Sequence, residues 1–284
     1  MSDQQGIRSG RVYCDPACSD KEYNLRAAFP HFTEVRAAWL QESAALQEQA
    51  RPRLDLAYGD APLQTLDYYA CGQTKRPLLV FIHGGYWQGG DKFDYGFLAR
   101  PWLQAGINVA SVNYSLAPAA RVESMVLEVR QAMCWLAAQA TQLDYDPGRI
   151  AIMGHSAGGH LAATIAAQAG QDGLPGIRHV FAVSGVFDLP PLLPSSINDA
   201  LQLDLTRAES LSPITLPAPA RMQVRTLVGG NETRQFHLQS QALGQVWPIV
   251  AHYSVPDTDH FTILNVLVDS TSQPTRDLVA ALLN

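Results

Sequence analysis

Residues 150–162, IAIMGHSAGGHLA, pass from a short apolar run through Gly154-His155-Ser156-Ala157-Gly158 into an alanine-rich stretch. This is a G-x-S-x-G with a strand signal before it and a helix signal after it, and few backbones accommodate that arrangement. The turn is so tight that the serine must take a strained conformation, with its hydroxyl exposed above a sheet. Side chains on the flanking glycines would collide with neighbouring backbone. The pentapeptide alone is a weak signal; its place at a strand–helix junction gives it weight.

The rest of the chain supplies a sheet for such an elbow. Apolar runs at 77–82, 107–112, 149–153, 180–183, 224–228 and 249–255 read as strands. Helical patterns alternate with them: one near 95–105 and another at 160–169. Between those, Val122, Met125, Val126, Val129, Met133 and Leu136 share one helical face. This βαβ alternation predicts an α/β fold, a mostly parallel central sheet with helices on both faces. Upstream, residues 1–50 read as an extended arm followed by a helix at 32–49. LDLAYG and LQTLDYYA then form two strand-like stretches around the turn Gly59-Asp60-Ala61-Pro62. The proline-rich stretch 189–220 reads as an insertion over the sheet. With no internal repeat, one domain over 1–284 is expected.

Bulk properties narrow the function classes. The chain has 284 residues, 47% hydrophobic and 16% charged, as ordinary globular proteins do. A net charge of -6 without a basic stripe argues against nucleic acid or an anionic membrane surface as partner. The polar start MSDQQGIRSG lacks the apolar core of a secretory signal, and no apolar run has the length of a membrane span. The four cysteines (Cys14, Cys18, Cys71, Cys134) make no zinc pattern and are expected as free thiols in a reducing cytoplasm. The expected partner is a small-molecule substrate; oligomeric state stays open, a homodimer being allowed.

The segment FIHGGYWQGG, residues 81–90, comes off the strand before the elbow and holds Gly84, Gly85, Gly89 and Gly90. It fits no phosphate-binding spacing, neither G-x-x-x-x-G-K-[ST] nor G-x-G-x-x-G, and Lys92 beside it reads as a surface residue. A glycine turn here can instead aim backbone N–H groups at an oxygen that becomes negative during acyl transfer. The amide of Ala157, just after the serine, would add one more.

A serine hydroxyl needs a base, oriented in turn by a third group. Folds with this elbow run serine, acid, histidine along the chain, each at the carboxyl end of a strand. His260, in SVPDTDHFTIL, follows the last strand and is the candidate base. His252 lies within that strand and His237 on a helix, so both read as structural. In LVGGNETRQF the carboxylate after the penultimate strand is Glu232, with Asp257, Asp259 and Asp188 as alternatives. His83 and His160 read as hydrogen-bonding residues of the loop and helix. Tyr86, Trp87 and Phe261 could supply aromatic substrate walls.

HGGYW together with GHSAGGHL resembles the kynurenine formamidase (arylformamidase) branch of the α/β-hydrolases, near the hormone-sensitive-lipase-like esterases. EYNLRAAFP and NETRQFHLQS look like the same family, so the resemblance spans nearly the whole chain. It implies Ser156 as nucleophile, Glu232 as acid, His260 as base, and the amides of Gly85 and Tyr86 as oxyanion donors. It also implies hydrolysis of N-formyl-L-kynurenine to L-kynurenine and formate, with no metal and no organic cofactor.

Overall fold

In a computed structural model, residues 5–169, 174, 176–220 and 222–283 are described. Two short strands, β1 (Gln5–Arg8) and β2 (Arg11–Cys14), form an antiparallel hairpin. The remaining strands are β3 (Arg53–Ala57), β4 (Thr65–Tyr69), β5 (Arg76–Ile82), β6 (Asn108–Val112) and β7 (Tyr145–His155). Then come β8 (Ile177–Val183), β9 (Gln223–Gly229) and β10 (Val250–Val255). They make one eight-stranded sheet in the order β10-β9-β8-β7-β5-β6-β4-β3. Only the β3–β4 and β4–β6 pairings are antiparallel.

The strands from β10 to β6 pair in parallel, and β5 among them is apolar from Pro77 to Ile82. Leu78 to Ile82 of β5 are all at most 1% exposed, as a strand buried on both faces requires. The helix Val122–Ala138 buries the face expected from the sequence, Val122, Met125, Val126, Val129, Met133 and Leu136. The helix Ala157–Ala167 has small residues on nearly every side and is buried almost entirely against β7 and β8. It begins at Ala157, a turn earlier than its alanine pattern suggested.

Register does the work of assembly. Ile82 pairs with Gly154, His155 with Val183, Val183 with Leu227, and Gly229 with Val255. The carboxyl ends of β5, β7, β8, β9 and β10 therefore finish in line along one edge. That edge is where open parallel sheets gather ligands and chemistry.

Three regions differ from the sequence reading. The expected arm is folded: its described part holds the β1–β2 hairpin and the short helices Ser19–Tyr23 and Leu25–Ala28, while residues 1–4 lie outside the described residues. Arg11 grips Asp188 with two nitrogens, at 2.6 and 3.0 Å, which ties the hairpin to the segment that follows β8. The helix expected near 95–105 is a 3-10 turn, Lys92–Leu98, followed by a short α-helix, Ala99–Gln104. Two C-terminal helices, Ile263–Val268 and Gln273–Leu283, follow the last strand. Among the described residues no helix is long and apolar enough to cross a membrane.

Candidate active site

Ser156 sits at φ 56°, ψ -118°, a region that costs a non-glycine residue roughly 1–3 kcal/mol. Its neighbours hold it there. The Ser156 amide donates to the Val183 carbonyl at 2.8 Å, and its carbonyl accepts from His160 at 3.2 Å. The elbow glycines are required by contact distance. A Cβ on Gly158 would stand 2.1 Å from the Ile82 carbonyl oxygen, and one on Gly154 would stand 2.0 Å from that of Gly158. The helix can therefore cross directly over the ends of β5 and β7 only without side chains at these points.

The glycine loop lies beside the elbow. Gly85 has φ +113°, and the amides of Gln88 and Gly89 both donate to its carbonyl, closing the turn. Tyr86 and Trp87 follow with φ of 50° and 57°, so the strain extends past the glycines. Among the described residues no hydrogen bond uses the amides of Gly85, Tyr86 or Ala157. Gly85, Tyr86 and Ser156 line a cavity of about 620 Å³, together with His260 and Phe261.

Backbone hydrogen bonds zip together the loops after β9 and β10, Gly230 N–H to the Val255 carbonyl and Asn231 N–H to that of Thr258, each at 2.8 Å. This brings Glu232 Oε2 to 2.7 Å from His260 Nδ1, with both side chains at most 1% exposed. The second carboxylate oxygen accepts from Ser184 Oγ at 2.5 Å and from the Gly229 amide at 2.7 Å. Glu232 is thus held by two donors and turns its free oxygen to the imidazole. The other carboxylates are committed elsewhere or lie apart. Asp188 takes Arg11 and the Val12 amide. Asp259 caps the Phe261 and Thr262 amides and meets His31 at 3.0 Å. Asp257 is an exposed turn residue with φ 58°.

Three buried histidines frame these groups. His155 Nε2–H donates to the carbonyl of His260 at 2.8 Å, and His160 Nε2–H to that of Leu211 at 2.8 Å. His83 Nδ1–H donates to the Gly84 carbonyl at 2.8 Å, with its ring stacked 4.4 Å from Tyr114. The carbonyl partners assign these tautomers. Burial lowers all three below the usual imidazole range, His155 furthest in company with neighbouring His260, and His160 to about 4.

That depression has a consequence for stability. An unfolded histidine takes up its proton near 6.5, whereas folded His160 resists it until about 4. The contribution is complete above pH 6.5 and is lost as pH falls toward 4, in all roughly 3 kcal/mol for this residue. The thermal midpoint is expected to drop steadily from pH 6.5 to 4.5. His160→Gln, whose longer side chain carries an NH₂ to the place of Nε2–H and so keeps a donor for the Leu211 carbonyl, should show a shallower slope; an unchanged slope would refute the assignment.

Two expected roles are corrected by the geometry. Trp87 is 0% exposed and is absent from the cavity wall; it packs edge-on against His160, with ring centroids 5.0 Å apart. It supports the loop from beneath and cannot touch a substrate in this conformation. Lys92 is buried, not a surface residue, its ammonium 2.7 Å from Asp55 and 3.2 Å from Asp67. By contrast Phe261 does line the cavity, as does Tyr86, whose hydroxyl donates to the Tyr23 carbonyl at 2.7 Å.

Sequence reasoning missed Ser184 and the aromatic wall made by Phe32, Trp39 and Tyr95. Phe32 and Phe261 face each other with centroids 4.3 Å apart. A signal was present: EYNLRAAFP and NETRQFHLQS prove to be spatial neighbours. Tyr23 Oη bonds Gln235 Oε1 at 3.1 Å, and Thr233 Oγ1 donates to the Glu22 carbonyl at 2.8 Å. The stretch carrying Tyr23 thus docks on the acid loop and leads straight into the cavity wall.

Known proteins resemble this arrangement. A family model described as the α/β-hydrolase fold matches residues 79–242. A kynurenine formamidase of Danio rerio is 34% identical over 229 residues, covering 76% of this chain and 77% of that protein. One of Salmo salar is 32% identical and covers 78% of each. A solved protein of Silicibacter sp. tm1040, described provisionally as a thioesterase, superposes with a TM-score of 0.83 at 30% identity, over 92% of this chain and 97% of that one. With an elbow, a glycine loop and relatives of this identity and coverage, the chain belongs to the kynurenine formamidase family of α/β-hydrolases.

Proposed function

We propose that the protein hydrolyses N-formyl-L-kynurenine to L-kynurenine and formate through a formyl-enzyme on Ser156. The observation that carries this reading is the buried Glu232–His260 pair, whose histidine shares one cavity with the strained serine and the glycine loop. The relatives named kynurenine formamidase supply the substrate.

Ser156 Oγ attacks the formyl carbon while His260 Nε2 takes its proton. Glu232 fixes the imidazole tautomer through Nδ1–H and stabilises the imidazolium that forms. The carbonyl oxygen becomes an oxyanion facing the amides of Gly85, Tyr86 and Ala157, a type of stabilisation worth several kcal/mol. Collapse breaks the carbon–nitrogen bond, and His260 returns the proton to the departing aryl amine. Water then loses a proton to His260 and attacks the formyl ester; as formate leaves, His260 returns that proton to Ser156 Oγ. Phe32, Trp39, Tyr95 and Phe261 offer apolar faces to the aryl ring. The four free thiols fit a reducing cytoplasm as the place of action.

Steady-state hydrolysis of N-formyl-L-kynurenine beside p-nitrophenyl acetate tests the reading. A specificity constant for the formamide at least tenfold above that for the ester is expected. Good ester turnover with a feeble formamide rate would leave the triad chemistry in place and refute the substrate.

A further inference from the structure

We infer that Arg26 recognises a carboxylate at the far end of the substrate, making the enzyme selective for aryl formamides with an anionic tail; this rests on the function proposed above. The cavity has two ends. Of its lining residues Ser156, His260 and Trp39 are buried, Phe32 is half-buried, and Arg26 and Arg36 are exposed, so the arginines mark the mouth. Arg26, Phe32 and Arg36 also line an adjoining hollow with Pro30, Thr33 and Leu40, which sets them at the outer side.

The two arginines differ in commitment. Arg36 is tied to Asp94 by three contacts of 2.9–3.1 Å, and Asp94 is the carboxylate on the cavity wall. Their charges cancel. Arg26 is exposed and, among the described residues, makes no ion pair; its guanidinium stands 6.0 Å from the Phe32 ring centroid. His155, buried and hydrogen-bonded through Nε2–H, adds no charge. The mouth therefore carries one uncommitted cation, on a planar fork suited to bidentate carboxylate binding.

N-formyl-L-kynurenine matches this polarity. Its formyl group must reach Ser156, its aryl ring then lies among Phe32, Trp39 and Phe261, and its amino-acid carboxylate points outward. Arg26 also lies within EYNLRAAFP, whose Glu22 carbonyl accepts from Thr233, next to Glu232, and whose Tyr23 bonds Gln235 on the helix that follows. The cation is thus carried on a segment anchored to the catalytic groups.

The test compares Arg26→Gln with the wild type on N-formyl-L-kynurenine and on 2′-formamidoacetophenone, which keeps the aryl formamide and lacks the carboxylate. KM for the charged substrate should rise roughly ten- to a hundredfold, with kcat little changed and the neutral substrate unaffected. The wild-type preference for the charged substrate should also shrink with added salt. Equal losses on both substrates, no change on either, or loss of discrimination in Arg36→Gln but not in Arg26→Gln would each overturn the inference. Inhibition of p-nitrophenyl acetate turnover by L-kynurenine, compared with 2-aminoacetophenone, keeps the test separate from the proposed reaction. Should the enzyme hydrolyse no formamide, selective weakening of L-kynurenine inhibition in Arg26→Gln would still support a carboxylate site, and equal inhibition in both proteins would refute it.

Discussion

Ser156→Ala should lower kcat on N-formyl-L-kynurenine by about a million-fold, the loss typical of removing the nucleophile from a serine triad. The reason is specific to the site. His260 and Glu232 serve only to move a proton to and from Ser156 Oγ, so without that oxygen the pair has no reaction to assist. What is left is the oxyanion loop and the binding walls, which typically retain 10³–10⁴-fold catalysis over water. The fold should survive. Alanine at position 156 keeps the same backbone hydrogen bonds to Val183 and His160 and inherits the same φ of 56°. A thermal midpoint within a few degrees of wild type, with turnover gone, is the expected pair of results. Activity within a hundredfold of wild type would move the nucleophile away from Ser156.

How far the sequence reaches can be judged at particular residues. The elbow was legible because its constraint is local: the glycines at 154 and 158 are demanded by backbone atoms only a few residues away or on the adjoining strand. The parallel strands were legible for a similar reason, since burial on both faces leaves an unbroken apolar run such as 78–82. Glu232 was narrowed by position on a strand end, but its pairing with His260 depends on the zipped loops after β9 and β10, which no local pattern announces.

Long-range packing hid the rest. Trp87 looked like a wall because it follows an exposed-looking glycine loop, yet its φ of 57° accompanies a side chain that lies fully buried beside His160. Lys92 looked like surface because charge usually means solvent, and its partners Asp55 and Asp67 lie on β3 and β4, 25 or more residues away. Phe32 and Trp39 sit on a helix whose sequence reads as polar and alanine-rich. Only packing of that helix on the 3-10 turn Lys92–Leu98, Trp39 against Tyr95 and Phe97, brings those aromatic residues to the cavity that Ser156 lines.

Glu232→Gln is expected to cost about 10⁴-fold in kcat, more than its near-identical shape suggests. The glutamate oxygen Oε1 accepts from two donors, Ser184 O–H and Gly229 N–H. The Gly229 amide can only donate, so a glutamine must turn its carbonyl oxygen toward it. That leaves the glutamine NH₂ against His260 Nδ1, 2.7 Å away in the native pair. An NH₂ donates, and it therefore selects the imidazole tautomer with Nδ1 bare and the proton on Nε2. The nitrogen that must accept the Ser156 proton is then already occupied. Glu232→Asp retains the charge and the tautomer but falls short by one methylene, so its loss should be clearly smaller. Ser184→Ala should act in the same direction and more mildly, since Gly229 still orients the carboxylate. The order Gln worse than Asp worse than the Ser184 variant, read in kcat with thermal midpoints held close, tests tautomer control directly. Near-normal turnover in Glu232→Gln would mean that His260 takes its orientation from another group, with its carbonyl contact to His155 the first place to look.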